Sequence, residues 1–534
     1  MGVAKGALLR SQKVANPALA RAVSLHLEGK LEAALKELID SANSGKREPF
    51  LYTAIAHIQY ELHEFEEAAA TYAKLLDLAP EHRTAHFNKA VCLAKLERWE
   101  EAANSFEKAL RIDPSRIEAQ LGLGACLLRL DRPMEASRAF NYFLGAQPDN
   151  EDGQFGRAVA LQQMGRLEEA REMYLKILDK NPRSAESLIN LTEISLSEKN
   201  HDSVRRYAEL LLALDADSQQ AMEALATVAF ASNDFAGAIR YCEKLTRIAP
   251  QQFEGWFNLG VAYQKLGDFK RASEAYTRAT ELRPDSAEAH LDRGIMLHKL
   301  GDITAARAAY QRALQINPKL QGALWNLALV LEQQGEEAEA EKLYAMLPED
   351  DPESAEASFR LGYLRLVRGD FRGSTEAFTA CLKKRGDWPE AQLNAGIAAW
   401  REGNLSAARS AFENVLTVRP GSVDALRGLA ALTLEEGNYK EAFRLHQKLI
   451  DIGQRSPEVF YNCGLICQKR GEVRDAIVYY REALKEDPDF PEALLNLGHA
   501  LKYIGAQEEA ISCWRRAVSL KPELAEDYFD AEEG

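Results

Sequence analysis

The chain has 534 residues, 46% hydrophobic and 28% charged, with a net charge of -15. This composition can bury a continuous core and excludes a disordered chain, while the acidic balance disfavours nucleic acid as a partner, because phosphate binding needs a concentrated basic surface. No segment reaches membrane-spanning length and the start, MGVAKGALLRSQKV, has no apolar stretch with a cleavage site, so a soluble cytoplasmic protein without membrane insertion is expected.

In chain order, the punctuation is proline. Pro80, Pro114, Pro148 and Pro182, then Pro250, Pro284, Pro318 and Pro352, stand 34 residues apart within each run, and the same ruler reaches Pro420, Pro488 and Pro522. The skipped marks carry Ala216, Gly386 and Gln454. With the proline at position 32, fifteen units fit without insertion, from 15–48 to 491–524. The predicted organisation is a segment 1–14, a helical solenoid 15–524 and an acidic tail 525–534, an array in which each unit buries its apolar face against its neighbours. A solenoid grows by stacking, so one elongated body is expected despite the length.

Each unit predicts helix A, a turn and helix B. Position 8 is Gly or Ala in fourteen units, among them Ala22, Ala56, Gly294, Gly362 and Gly498, with Thr192 the exception; position 20 is Ala in thirteen, with Val204 and Ser374 departing. Small residues twelve apart across a turn suit two antiparallel helices that cross closely. Position 15 is Gly in ten units, supplying a left-handed residue where helix A ends. Trp256, Leu259, Tyr263, Tyr276 and Ala279 give the eighth unit apolar residues three and four apart. The proline then ends helix B. Pro49, Pro389 and Pro457 begin the units that follow Lys46, Gly386 and Gln454, at a first turn where proline is tolerated.

This pattern resembles the tetratricopeptide repeat, whose W-x2-L-G-x2-Y…A-x3-F signature is visible in Trp256, Leu259, Gly260, Tyr263, Ala272 and Tyr276. The resemblance covers 510 of the 534 residues. It implies an all-α, right-handed superhelical solenoid with helix A lining a concave groove and helix B on the convex side. The sixth unit, 185–218, departs from the pattern at Thr192, Lys199, Val204 and Ala216, and Asn233 replaces the turn glycine in the seventh. Two readings stand: drift that still packs, or a flexible seam between units 1 to 6 and 7 to 15.

Few residues ask for chemistry. Cys463 and Cys467 are four apart on one helix, but structural zinc needs four ligands and both fall on core positions, so burial is the expected role. Seven cysteines, an odd number in apolar helical stretches, fit a reducing compartment. Gly122 and Gly124 mimic the start of a dinucleotide fingerprint, yet lie inside a predicted helix with no strand before them, so helix packing is expected. Gly2 lacks the Ser or Thr that myristoylation expects at Gly6. The ten histidines show no His-x3-His or paired metal spacing and no linked nucleophile. No catalytic, cofactor or metal residues are assigned. Asn190-Leu191-Thr192 and Asn404-Leu405-Ser406 match the glycosylation triplet, which is idle without a secretory signal.

What remains is the groove. Position 6 is Asn in seven units: Asn88, Asn190, Asn258, Asn326, Asn394, Asn462 and Asn496. An amide donates and accepts at once, so a row of them suits the backbone of an extended peptide. The row resembles the asparagine ladder in the repeat domain of O-linked N-acetylglucosamine transferase, but is interrupted by Asp292, Arg360 and Gly428. The alternative is that Asn is common before Leu-Gly in such repeats. Position 5 adds Phe87, Phe155, Phe257, Trp325, Phe359 and Tyr461, apolar surface for a peptide. Position 2 is acidic in ten units, such as Glu118, Glu254 and Glu390, as the helix dipole favours; a clamp for a chaperone's C-terminal carboxylates would need Lys or Arg there.

The expected function is a non-enzymatic scaffold that binds partner proteins or extended peptides in the groove. Two alternatives are a self-assembling scaffold, compatible with homo-oligomerisation because solenoid ends expose apolar faces, and the substrate-recruiting subunit of a separate transferase such as a glycosyltransferase. Leu524, Tyr528 and Phe529 are candidates to shield the last unit.

Overall fold

The computed structural model of the chain describes residues 17–44, 48–348 and 354–525. Lys46, Pro352, Tyr528, Phe529, Gly2, Gly6 and the tail from Glu526 onward lie outside the described residues. Within them the secondary structure is thirty α-helices, from α1 (Pro17–Leu27) to α30 (Gln507–Leu520), with no strand. The helices alternate as the register predicts. In the fifth unit, helix A spans Glu151–Gln163 and helix B spans Leu167–Lys180. Two compact bodies are formed, one through Leu266 and one from Gly267. In each, helix B packs on its own helix A and on the next one, and helix A also meets helix A of following units, so the A helices line one side of the body.

The turn at position 15 is left-handed in every unit. Ten are glycines with φ between +75° and +88°, and the other five are His63, Glu97, Asp131, Lys199 and Asn233, with φ between +54° and +63°. The next backbone N–H returns to the carbonyl five residues earlier, as from Glu64 to Gln59 at 2.9 Å and from Asp302 to Leu297 at 3.0 Å. That bond captures a carbonyl the helix end would otherwise leave unpaired. Side chains cap many B helices: Asp234, Asp268, Asp302, Asp370, Asn404 and Asn438 each accept from the backbone N–H three residues on.

Proline is not required to end helix B. With Ala216 in its place the helix His201–Leu214 still stops before an extended Asp215, and with Gly386 the helix Phe371–Lys384 stops before a non-helical Arg385. Where Gln454 replaces proline, the helix Tyr439–Asp451 ends on left-handed Gly453 instead. The sixth unit lies inside the first body, and its departures pack: Val204 is buried, and buried Thr192 donates its hydroxyl to the Leu188 carbonyl at 2.8 Å. Ser374, at the position usually held by Ala, is likewise buried and donates to the Gly362 carbonyl at 2.8 Å. Leu524 is buried against the core of the fifteenth unit.

The core of a unit centres on position 24, which is Phe, Tyr or Trp in eleven units. Tyr174, Tyr310, Phe378, Phe412 and Tyr480 are fully buried, each burial worth about 1.5–3 kcal/mol. The ring sits against the small residue at position 8 of its own unit. A Cβ on Gly294 would lie 2.5 Å from Tyr310, and one on Gly464 would lie 2.6 Å from Tyr480.

Candidate functional site: the helix A face

Position 6 lies over the position-24 side chain of the preceding unit. Glycine there makes room for a ring: a Cβ on Gly122, Gly156 or Gly428 would meet Phe106, Phe140 or Phe412 at 2.4, 2.4 and 2.7 Å. Where the preceding ring is tyrosine, position 6 is polar in all six cases, pairing Tyr72 with Asn88, Tyr174 with Asn190, Tyr276 with Asp292, Tyr310 with Asn326, Tyr344 with Arg360 and Tyr480 with Asn496. In the first of these pairs Asn88 Nδ2 donates directly to the Tyr72 hydroxyl at 3.2 Å.

The seven asparagines therefore fall into three groups. Asn190 and Asn326 turn back on their own helices, donating to the Glu186 carbonyl at 2.8 Å and the Gly322 carbonyl at 2.7 Å. Asn88 and Asn496 donate to tyrosine hydroxyls, Tyr72 and Tyr461 respectively. Asn258 is exposed and Asn394 and Asn462 are half-buried; among the described residues no other group engages these three amides. Asn258 belongs to the first body and the other two to the second.

Position 5 is half-buried throughout the candidate set. Each ring leans on the position-24 ring of its own unit, with centroids 5.6 Å apart for Trp325 and Tyr344, 5.7 Å for Phe359 and Phe378, 5.7 Å for Phe87 and Phe106, 5.8 Å for Phe155 and Tyr174, and 5.9 Å for Tyr461 and Tyr480. Phe257 stacks on Phe253 of its own helix at 5.4 Å. Position 34 covers some of the outer faces: Trp388 stacks on Phe359 at 4.6 Å, Phe490 meets Tyr461 at 5.1 Å, and the Arg116 guanidinium lies 4.1 Å over Phe87.

Charge punctuates the row in the second body. Burial, then the neighbouring Glu288 carboxylate, pushes the Asp292 carboxyl up to about 6. Arg360 donates to Glu332 at 3.1 Å, and the same carboxylate accepts from the Tyr344 hydroxyl at 2.8 Å. Arg360 also lies 5.8 Å over the Trp325 ring. Some position-2 acids reach the end of helix B, Glu390 pairing with Arg419 and Glu492 with Lys521, each at 2.7 Å.

The other sequence features resolve into packing. Cys463 and Cys467 are buried, and burial pushes their thiols up to about 12 and about 11, so they are held as neutral apolar groups. Gly124 faces Phe140, where a Cβ would lie 2.8 Å from the ring. Asn404 caps a helix. A cleft of about 490 Å³ lined by Asn141, Gln154, Arg157, Met173 and Lys176 includes no residue from positions 2, 5 or 6. Sequence reasoning missed one grouping. His26, His57 and Glu61 bring their ligating atoms within 4.8 Å of one another, across two units, where no short spacing reveals them.

Thirty helices in one fixed 34-residue register define an α-helical repeat protein. The chain belongs to the tetratricopeptide repeat family. Family models described as tetratricopeptide repeat match residues 53–117, 257–320, 359–409 and 393–457, residues 96–154 and 297–361, residues 457–490 and residues 491–524. A model of the coatomer epsilon subunit also matches residues 139–236. No curated protein matches in sequence. Among solved structures the chain is similar to YrrB, described as a TPR protein with an unusual peptide-binding site, at 22% identity over 35% of this chain and 96% of that one, with a TM-score of 0.33. It is similar to MamA from Desulfovibrio magneticus RS-1 at 20% identity over 32% and 96%, TM-score 0.30, and to a chain of the APC/C hetero-tetramer Cut9-Hcn1 at 16% over 91% and 96%, TM-score 0.28. Repeats of this family serve in general as protein-interaction scaffolds, and no helix among the described residues is long and apolar enough to cross a membrane.

Proposed function

We propose that the chain is a non-catalytic scaffold that holds extended segments of partner proteins against its A-helix face. The carrying observation is that in the second body Asn394 and Asn462 present unengaged amides on that face, while Leu393 and Tyr461 at position 5 beside them stay half-exposed. Such an amide can pair with a peptide N–H and a peptide carbonyl together, and the position-5 side chains supply apolar contact for alternate side chains. In the second body the alternation of Asn394, Gly428 and Asn462 leaves an open stretch between two amides, because glycine adds nothing beyond the Phe412 ring. The net charge of -15 favours segments with basic residues.

A displayed library of extended peptides tests this reading. Enriched peptides should lose binding to the double variant Asn394→Ala, Asn462→Ala while its melting temperature holds. Retention of binding by that variant, or no enrichment at all, removes the reading.

Self-assembly is a second reading. It is favoured by the fifteenth unit, where Tyr503 is 80% exposed beside exposed Ile504. Sedimentation that stays monomeric across concentrations would end it.

A further inference from the structure

We infer that His26, His57 and Glu61 form a binding site for a divalent transition metal of the zinc class, which ties the first unit to the second. His26 stands in the last turn of α1, and His57 and Glu61 sit four apart on α3 (Pro49–Glu61), so both project from one face of that helix. His26 Nε2 lies 2.7 Å from Glu61 Oε2, and His57 Nε2 lies 3.3 Å from Glu61 Oε1. The imidazole rings approach to 6.2 Å between centroids, tilted by 33°.

Two ligand atoms each about 2.0–2.1 Å from a shared tetrahedral ion stand about 3.4 Å apart. The 3.3 Å separation is close to that value and the 2.7 Å one is shorter, and none of the ligating atoms is more than 4.8 Å from another. The side chains are 33%, 37% and 36% exposed, so small rotations are free to close on an ion and a path from solvent is open. Two neutral imidazoles and a carboxylate are a donor set that zinc accepts, leaving a fourth position for water or a partner's ligand. Calcium and magnesium prefer oxygen and are disfavoured. Among the described residues this is the one group of three ligating side chains gathered closely enough.

The site lies at a mechanically useful place. α1 packs on α2 (Leu31–Asn43), which in turn packs on α3. An ion held by His26, His57 and Glu61 would join α1 to α3 directly, and would add its binding free energy to the folding of the first unit.

The test uses the full chain after dialysis against EDTA, carrying Cys513→Ser to remove the single thiol that is not buried. Calorimetric titration with Zn²⁺ should show one equivalent bound. Hydrogen exchange at α1 and α3 should slow on adding zinc, and Ca²⁺ should do neither. His26→Gln and His57→Gln, each at a partly exposed side chain, should weaken zinc binding about tenfold or more and abolish the added protection, with unchanged melting in EDTA. Absence of a one-equivalent isotherm overturns the inference. So does wild-type affinity in both glutamine variants, or equal protection by Ca²⁺.

Discussion

Asn496 Nδ2 donates a 2.9 Å hydrogen bond to the hydroxyl of Tyr461, joining helix A of the fifteenth unit to helix A of the fourteenth. Two side chains that the sequence presents as separate peptide contacts thus engage each other. Asn496→Ala is expected to lower stability by about 1 kcal/mol, the ordinary net worth of such a bond. Under the proposed scaffold reading it should affect peptide binding less than Asn394→Ala. Parallel urea melts and peptide titrations of the two variants check this ordering.

The Phe106 ring occupies the space that a side chain on Gly122 would take. Gly122→Ala should cost about 1–3 kcal/mol through overpacking, despite the better helix propensity of alanine. Phe106→Leu in the same chain should recover part of that loss. A double-mutant cycle with no coupling would show that the ring and the glycine are independent.

Left-handed backbone costs a residue with a Cβ about 1–2 kcal/mol relative to glycine. Glu97→Gly and Lys199→Gly, at φ +58° and +56°, should therefore raise the melting temperature. Gly301→Ala, at φ +83°, should lower it. Thermal melts of the three variants give the signs directly.

Burial raises the Asp292 carboxyl above its ordinary range, to about 6. The folded state then holds the proton more tightly than the unfolded state, so stability is full below the unfolded value near 4 and falls as pH rises through about 6. Asp292→Asn, which cannot ionise, should melt increasingly above the parent between pH 5 and pH 7.5. A constant difference across that range would place the ionisation elsewhere.

Six of the seven thiols are buried and Cys513 is partly exposed. Burial pushes Cys92 and Cys242 up to about 12 and Cys126 and Cys381 up to about 11. A disulfide reagent at neutral pH should label one thiol per native chain quickly and all seven in denaturant. Fast labelling of a second thiol would show that a helix pair opens.

The register of the helices was legible because their requirements repeat: left-handed turn residues, small residues at crossings, and a ring at position 24. The turn geometry even survives at His63 and Asp131, where the glycine signal is missing, because the flanking helices impose it. The partition of the asparagine row was not read from the sequence, since it depends on which group each amide meets. A trace was present in the rule that every tyrosine at position 24 precedes a polar position 6. The grouping of His26 with His57 and Glu61 was hidden for another reason. Motif spacing reports neighbours along one helix, and the first of these residues comes from a different unit.

The contact between position 24 of one unit and position 6 of the next makes the repeats non-interchangeable parts. Joining the second unit to the fourth would set Tyr72 against Gly122 and leave a hydroxyl with no amide to meet it. Joining the third to the sixth would put Asn190 in place of Gly122 over Phe106, a pairing found natively only between Phe378 and Asn394. Shuffled or shortened arrays of this chain should fold best when each cut keeps its native junction, so the order of units is itself encoded one seam at a time.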